Sequence, residues 1–141
     1  MHGYDELVAV VREWVVKAEN DLKNAAHTLK PGQDCPTDAV CFHAQQCVGK
    51  YLKALLVWRC VRFPKTHCIG ALHSLVRWDG RPEISPEEQE RLTDFATSTR
   101  YPDVYESISL NEAHEAVKLA RRVRRDIRRL LPREAQVRRG H

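Results

Sequence analysis

The polar residues with the clearest chemical potential lie on one predicted helix, between Val40 and Trp58. His43, Gln46, Lys50 and Lys53 follow one another at intervals of three, four and three residues. This spacing places the four side chains on one face of an α-helix. That helix face offers donors and positive charge without an intervening acid, which suits an anionic or carbonyl-rich ligand. The alternative interpretation is a solvated face without a ligand.

A second group of candidate ligands surrounds Pro102. Arg100 and Tyr101 precede this proline, and Tyr105 follows it. Because a residue before proline avoids helical geometry, we expect Arg100 at a helix end, where its guanidinium can project. A guanidinium can bind phosphate through two hydrogen bonds, and a phenol ring can stack on a base. An ion pair between Arg100 and Asp103, with a tyrosine packed over the bundle end, is an equally good interpretation.

Amphipathic segments are expected to position these residues. Apolar residues at helical spacing predict helices over residues 5–29, 37–62, 67–76, 86–99 and 110–131. Ser85 and Ser109 each precede a glutamate by three residues, the capping-box signature of a helix start, and Thr37 is predicted to cap the second helix. No alternating strand pattern occurs. The sequence therefore predicts an all-α fold, an antiparallel up-and-down bundle of four to five helices.

The composition is that of a single globular domain. The chain has 141 residues, of which 43% are hydrophobic and 30% charged. We expect a helical domain over residues 1–132 and a basic flexible tail over 133–141. Neither a signal peptide nor an apolar stretch of membrane-spanning length is visible, so a cytoplasmic location without membrane association is expected.

The five cysteines predict reduced thiols, most of them buried, rather than a disulfide framework. Their number is odd, and no Cys-x-x-Cys occurs. His43 and His67 add no familiar zinc spacing. We therefore predict neither a metal site nor a cofactor.

Positive charge is concentrated towards the carboxy terminus. Residues 112–141 contain ten Lys and Arg against four acids, a net charge of +6, whereas the whole chain carries +4. The arginine-rich face of the fifth helix could bind nucleic-acid phosphates or an acidic partner surface. It could equally be a solvated face whose arginines suit the negative end of the helix dipole.

Four segments, read in order, resemble the HEPN family (higher eukaryotes and prokaryotes nucleotide-binding). They are Ala18–Ala25, Phe42–Leu56, Phe63–His67 and Thr99–Asp103. The resemblance covers roughly residues 10 to 130. It implies a helical bundle, usually dimeric and often encoded beside a small nucleotidyltransferase.

The HEPN ribonuclease motif is degenerate in this sequence. HEPN proteins that cut RNA carry an arginine, four to six residues, and then a histidine. Here Tyr105 follows Arg100 after four residues, and a phenol with a pKa near 10 is a poor proton carrier at neutral pH. Arg62 and His67 match the spacing, but they lie in a different loop, and we interpret that match as chance. No catalytic residue is predicted.

The leading hypothesis is a homodimeric HEPN protein that binds a nucleotide or RNA. In this view it pairs with a small nucleotidyltransferase in a two-gene, toxin–antitoxin-like system. Its pocket would contain His43, Gln46, Lys50, Lys53, Arg100, Tyr101 and Tyr105, and it requires the second helix and Arg100 to face one cleft. The alternatives are a metal-independent ribonuclease toxin and a purely structural helical module. In the related systems the transferase adenylylates a tyrosine, which by position would be Tyr105 or Tyr101.

Overall fold

The structure, a computed structural model, describes residues 2–77, 79–97 and 107–136. Five α-helices occupy these ranges: α1 (His2–Leu29), α2 (Thr37–Trp58), α3 (Ile69–Leu75), α4 (Pro86–Thr97) and α5 (Leu110–Arg128). No strand occurs among the described residues, and the predicted all-α bundle is confirmed. Over the same ranges, none of the helices combines the length and apolar character that crossing a bilayer requires.

The long helices α1 and α2 form an antiparallel pair around which the bundle is built. At one end the ring of Tyr4 contacts Trp58, with centroids 6.1 Å apart, and towards the other end Asp21 contacts His43. Because α1 and α5 both pack against α2, apolar residues are buried on several sides of that helix. Core members from the three helices include Val11, Val15, Ala18, Val48, Leu52, Leu55, Ala116, Ala120, Val123 and Ile127.

Helix α2 ends at Trp58, four residues before the predicted end at Arg62. Cys60 adopts a left-handed conformation with a φ of 58°, and the backbone N–H of Val61 donates to the carbonyl of Leu56 at 2.9 Å. This bond pattern is a Schellman-type helix end, in which a non-glycine residue takes the position usually held by glycine. The loop that carries Phe63 to His67 therefore begins one turn earlier than expected.

The capping boxes predicted for α4 and α5 are present. The backbone N–H of Glu88 donates to Ser85 Oγ at 3.1 Å, and Ser109 caps α5 in the same way through Glu112. The predicted cap at Thr37 was wrong, because Pro36 is the N-cap residue of α2. Thr37 Oγ1 instead donates to the carbonyl of Ile108 at 2.7 Å, which ties the start of α2 to the residues before α5.

The residues after α5 pack back onto α1. A 3-10 turn at Arg133–Ala135 buries Ala135 completely. Tyr4 Oη donates to Glu134 Oε2 at 2.8 Å, and Arg12 Nε donates to the Glu134 carbonyl at 3.0 Å. Residues up to 136 thus extend the helical domain, whereas residues 137–141 of the predicted tail lie outside the described ranges.

Candidate ligand-binding site

A buried carboxylate, Asp21 on α1, organises the polar side of α2. Its Oδ1 lies 2.9 Å from His43 Nδ1, and its Oδ2 accepts from Lys50 Nζ at 2.5 Å. His43 and Lys50 are seven residues apart, so two helical turns place both on the side that faces Asp21. The polar face of α2 itself carries no intervening acid, as the sequence indicated, but the neighbouring helix supplies one in Asp21.

Gln46 contacts the loop that follows α2. Its Nε2 donates to Gln45 Oε1 at 2.7 Å and lies 3.3 Å from His67 Nδ1. Gln45 is 1% exposed and donates to the carbonyl of His67 at 3.0 Å. The predicted ligand Gln46 thus has a structural partner, and His67 lies beside the polar face of α2 rather than within α3.

Lys53 lies over an aromatic pair contributed by α1 and the loop after α2. Its Nζ is 5.2 Å from the ring centroid of Trp14, and Lys17 Nζ is 5.8 Å from the same ring. The Phe63 ring meets Trp14 edge-on at 6.3 Å. Burial, with repulsion from Lys50 and Lys65, lowers the pKa of Lys53. A bound anion would relieve this repulsion, and such perturbed groups are concentrated at functional sites.

These contacts define a continuous surface that we call the α1–α2 polar face. Its members are Trp14, Lys17, Asp21, His43, Gln46, Lys50, Lys53, Phe63, Lys65 and His67. Four lysines stand against one carboxylate, so the surface carries a positive excess. The structure brings together His43, Gln46, Lys50 and Lys53 as predicted. The sequence interpretation missed Trp14, Lys17 and Asp21 as members, although their helical spacing of three and four residues in α1 was available as a signal.

The other three predicted ligands, Arg100, Tyr101 and Tyr105, lie outside the described residues. Their convergence with α2 stays a prediction. The chain is described again just beyond them, where Ile108 accepts the hydrogen bond from Thr37. Thr37 precedes His43 by six residues, or about 9 Å of helix rise. Ile108, just before α5, therefore lies near the His43 end of the α1–α2 polar face.

A second polar network joins α1, α2 and α5 through Glu19. Arg124 donates to both oxygens of Glu19, with Nε at 2.6 Å and Nη2 at 3.1 Å, and Tyr51 Oη also donates to this carboxylate. Burial alone would raise the pKa of Glu19, but the hydrogen bonds from Arg124 and Tyr51 outweigh it and lower the pKa. Part of the arginine-rich face of α5 therefore points inward, and Arg124 holds helices together.

Most of the cations of α5 line a cleft against α1. This α1–α5 cleft has a volume of about 790 Å³. Its lining residues are Glu19, Leu22, Lys23, Ala26, Glu88, Glu115, Lys118, Leu119, Arg121, Arg122, Arg124 and Arg125. Arg122 donates to Glu88 Oε1 at 3.0 Å, and three of the lining arginines (Arg122, Arg124 and Arg125) form ion pairs. The cleft still presents several exposed cations.

Three of the five cysteines are buried, in agreement with the prediction that most of them would be. Cys35, Cys41 and Cys47 are buried, whereas Cys60 and Cys68 are exposed in the loop and at the start of α3. All five are free thiols. Burial raises the pKa of Cys41 to about 12 and also raises that of Cys47. Among the described residues, no group of three His, Cys, Asp or Glu is arranged to hold a metal ion.

The sequence profile of the HEPN domain matches residues 11–130. Because this match spans most of the chain, the protein belongs to the HEPN family. The fold is similar to the crystal structure of ST0689, an archaeal HEPN homologue, with a TM-score of 0.62 and 25% sequence identity. That alignment covers 85% of this chain and 96% of the archaeal one. No curated protein matches the chain.

Proposed function

We propose that this HEPN protein is a nucleotide- or RNA-binding module, and that it works as a homodimer with a small nucleotidyltransferase in a toxin–antitoxin-like pair. One observation carries the proposal. On the α1–α2 polar face, Lys17 and Lys53 lie over the Trp14 ring, which meets Phe63 edge-on, and the buried carboxylate of Asp21 holds Lys50 nearby. Lysine ammonium groups can bind phosphate, and the face of an aromatic ring can stack on a base.

The roles of the residues follow from their contacts. Lys53 and Lys17 supply positive charge beside the Trp14 ring, whereas Lys50 and His43 are held by Asp21. A phosphate group would approach Lys53 first, because its ammonium group faces other lysines and lacks a carboxylate partner in the described chain. Arg100, Tyr101 and Tyr105 complete the pocket in this proposal.

Calorimetric titration with ATP, other nucleotides and a short RNA tests ligand binding. It is performed on the protein alone and after co-expression with the neighbouring transferase. We expect saturable binding that weakens in Lys53→Ala and persists in Lys30→Ala, an exposed lysine beyond α1. Absence of binding to every ligand in both preparations would contradict the proposal. Size-exclusion chromatography with light scattering tests the homodimer and the transferase complex in the same samples.

A second candidate function, RNA cleavage, is favoured by the contact between His43 and Asp21. A carboxylate at 2.9 Å from Nδ1 fixes the orientation of the imidazole, as in many general bases. If the protein cleaves RNA, His43→Ala should abolish cleavage, whereas His114→Ala on the exposed side of α5 should not. Tyr105→Phe and Arg100→Ala would separate this site from the degenerate family motif. Equal cleavage by His43→Ala and the wild-type protein would exclude the assignment.

A further inference from the structure

The rim of the α1–α5 cleft carries positive charge that the protein itself does not neutralise. Lys23, Lys118 and Arg121 are exposed and form no ion pair with any residue in the described ranges. Arg125 lies beside them, with a contact of 3.5 Å to Asp126. Glu115 also lines the cleft and forms no ion pair among the described residues, whereas the acidic lining residues Glu19 and Glu88 are already engaged by arginines. Their pairing leaves the rim cations available to an external acid.

The floor of the same cleft is apolar. Leu22, Ala26 and Leu119 line it between the two rims, and Leu119 is 8% exposed. Among the described residues that line this cleft, none is aromatic. A nucleic-acid strand would use the rim cations but would find no ring for its bases. An acidic amphipathic helix would use both features, since its apolar stripe can cover the floor while its carboxylates reach the rim.

We propose that the α1–α5 cleft binds an acidic amphipathic helix of a protein partner. Lys118 and Arg125 are seven residues apart on α5, or about 10 Å, so the rim matches roughly two turns of such a helix. The α1–α2 polar face is built from other residues, and the two surfaces bind different ligands. This inference rests on the proposed function only in requiring a protein partner.

A labelled synthetic peptide tests the proposal by fluorescence anisotropy on the full chain. The probe is a helix of about 14 residues with leucines on one face and glutamates on the other, long enough to fold in contact with the cleft. A matched peptide with lysine in place of glutamate and a short oligouridylate serve as competitors. Circular dichroism confirms that each protein variant is folded.

Two kinds of variant test the contributions of the rim and of the floor to peptide binding separately. Lys118→Glu with Arg121→Glu should weaken peptide binding at least tenfold by reversing the rim charge. Ala26→Trp should weaken it similarly at constant charge by filling the floor. Lys30→Glu with Arg77→Glu, at exposed positions that do not line the cleft, reverses the same number of charges and should bind as the wild type does.

Saturable binding of the acidic peptide to the wild-type protein, and its loss in the rim and floor variants, would support the proposal. The proposal is overturned if the acidic peptide does not bind, or if Ala26→Trp leaves its affinity unchanged. Displacement of the peptide by equimolar oligouridylate also overturns the proposal and would indicate a nucleic-acid surface. Nucleotide binding at the α1–α2 polar face is measured separately with Lys53→Ala. Failure of peptide binding can therefore be distinguished from failure of nucleotide binding.

Discussion

Asp21 on α1 and Lys50 on α2 form an ion pair of 2.5 Å, and His43 shares the same carboxylate. Asp21 is only 7% exposed, so this charge stays in the structure because its partners compensate for lost hydration. Breaking such a pair costs more than the pair contributes, since an unpartnered buried charge remains. The α1–α2 polar face is therefore organised by one residue that itself contacts little solvent.

Replacing Asp21 with asparagine should destabilise the protein while preserving the size of the side chain. Lys50 and His43 would then share a neutral, weaker acceptor, and we expect the free energy of unfolding to fall by about 1–3 kcal/mol. Urea denaturation measures this change. The control is Glu13→Gln, an exposed position on the same helix, which should stay within about 0.5 kcal/mol of wild type. Wild-type stability in Asp21→Asn would contradict the assigned role.

Glu19 should make stability sensitive to acid. Its pKa in the folded protein is lowered, because the hydrogen bonds from Arg124 and Tyr51 outweigh the effect of burial. The stability that its charge contributes is complete above the unfolded pKa of about 4.3, and it is lost as the pH falls through the folded pKa. Glu19→Gln should therefore be less stable than wild type at neutral pH, and the difference should shrink on acidification.

Urea unfolding of the two proteins from pH 7 down to about pH 3 measures the predicted convergence. Glu115→Gln is the matched control, because this exposed glutamate of α5 has no ion pair among the described residues. A difference between wild type and Glu19→Gln that stays constant across the range would show that the charge of Glu19 does not contribute.

Lys53 should contribute more to ligand binding than to the stability of the fold. Burial and two neighbouring lysines, Lys50 and Lys65, lower its pKa, which means that folding disfavours its charged form. Lys53→Met should therefore keep or slightly raise the free energy of unfolding, by up to about 1 kcal/mol, because it removes this repulsion. The same variant should weaken nucleotide or RNA binding about tenfold by removing a cation from the site.

Denaturation and calorimetry on the same preparation test both halves of the Lys53 prediction. Lys30→Met, exposed and outside the α1–α2 polar face, should change neither quantity. A variant of Lys53 that is clearly less stable, with ligand affinity intact, would indicate a structural lysine.

The five thiols should react in two classes. In the native protein, iodoacetamide should modify Cys60 and Cys68, which are exposed, and spare Cys35, Cys41 and Cys47. Burial raises the pKa of Cys41 and Cys47, so their reactive thiolate forms are scarce as well as inaccessible. Intact-mass analysis should find two adducts before denaturation and five after it. Rapid native modification at Cys47 would contradict the packing of α2.

The helix starts could be predicted from sequence because their signals are local. Ser85 and Ser109 each find their capping partner three residues away, and no distant contact is needed. The end of α2 could not be predicted in this way. Cys60 adopts a left-handed conformation that is usually found at glycine, and the surrounding packing must impose it. Helical spacing showed that His43 and Lys50 share a face. It could not show that Asp21, on another helix, would lie opposite them.

We propose that nucleotide or RNA binds at the α1–α2 polar face. Photo-cross-linking maps this contact directly, with 8-azido-ATP and a short RNA containing 4-thiouridine, followed by digestion and mass spectrometry. We predict adducts on peptides containing Trp14, Lys53 or Phe63, lost on competition with unlabelled ligand and reduced in Lys53→Met. Adducts confined to α5 peptides, or labelling that unlabelled ligand does not displace, would contradict the claim.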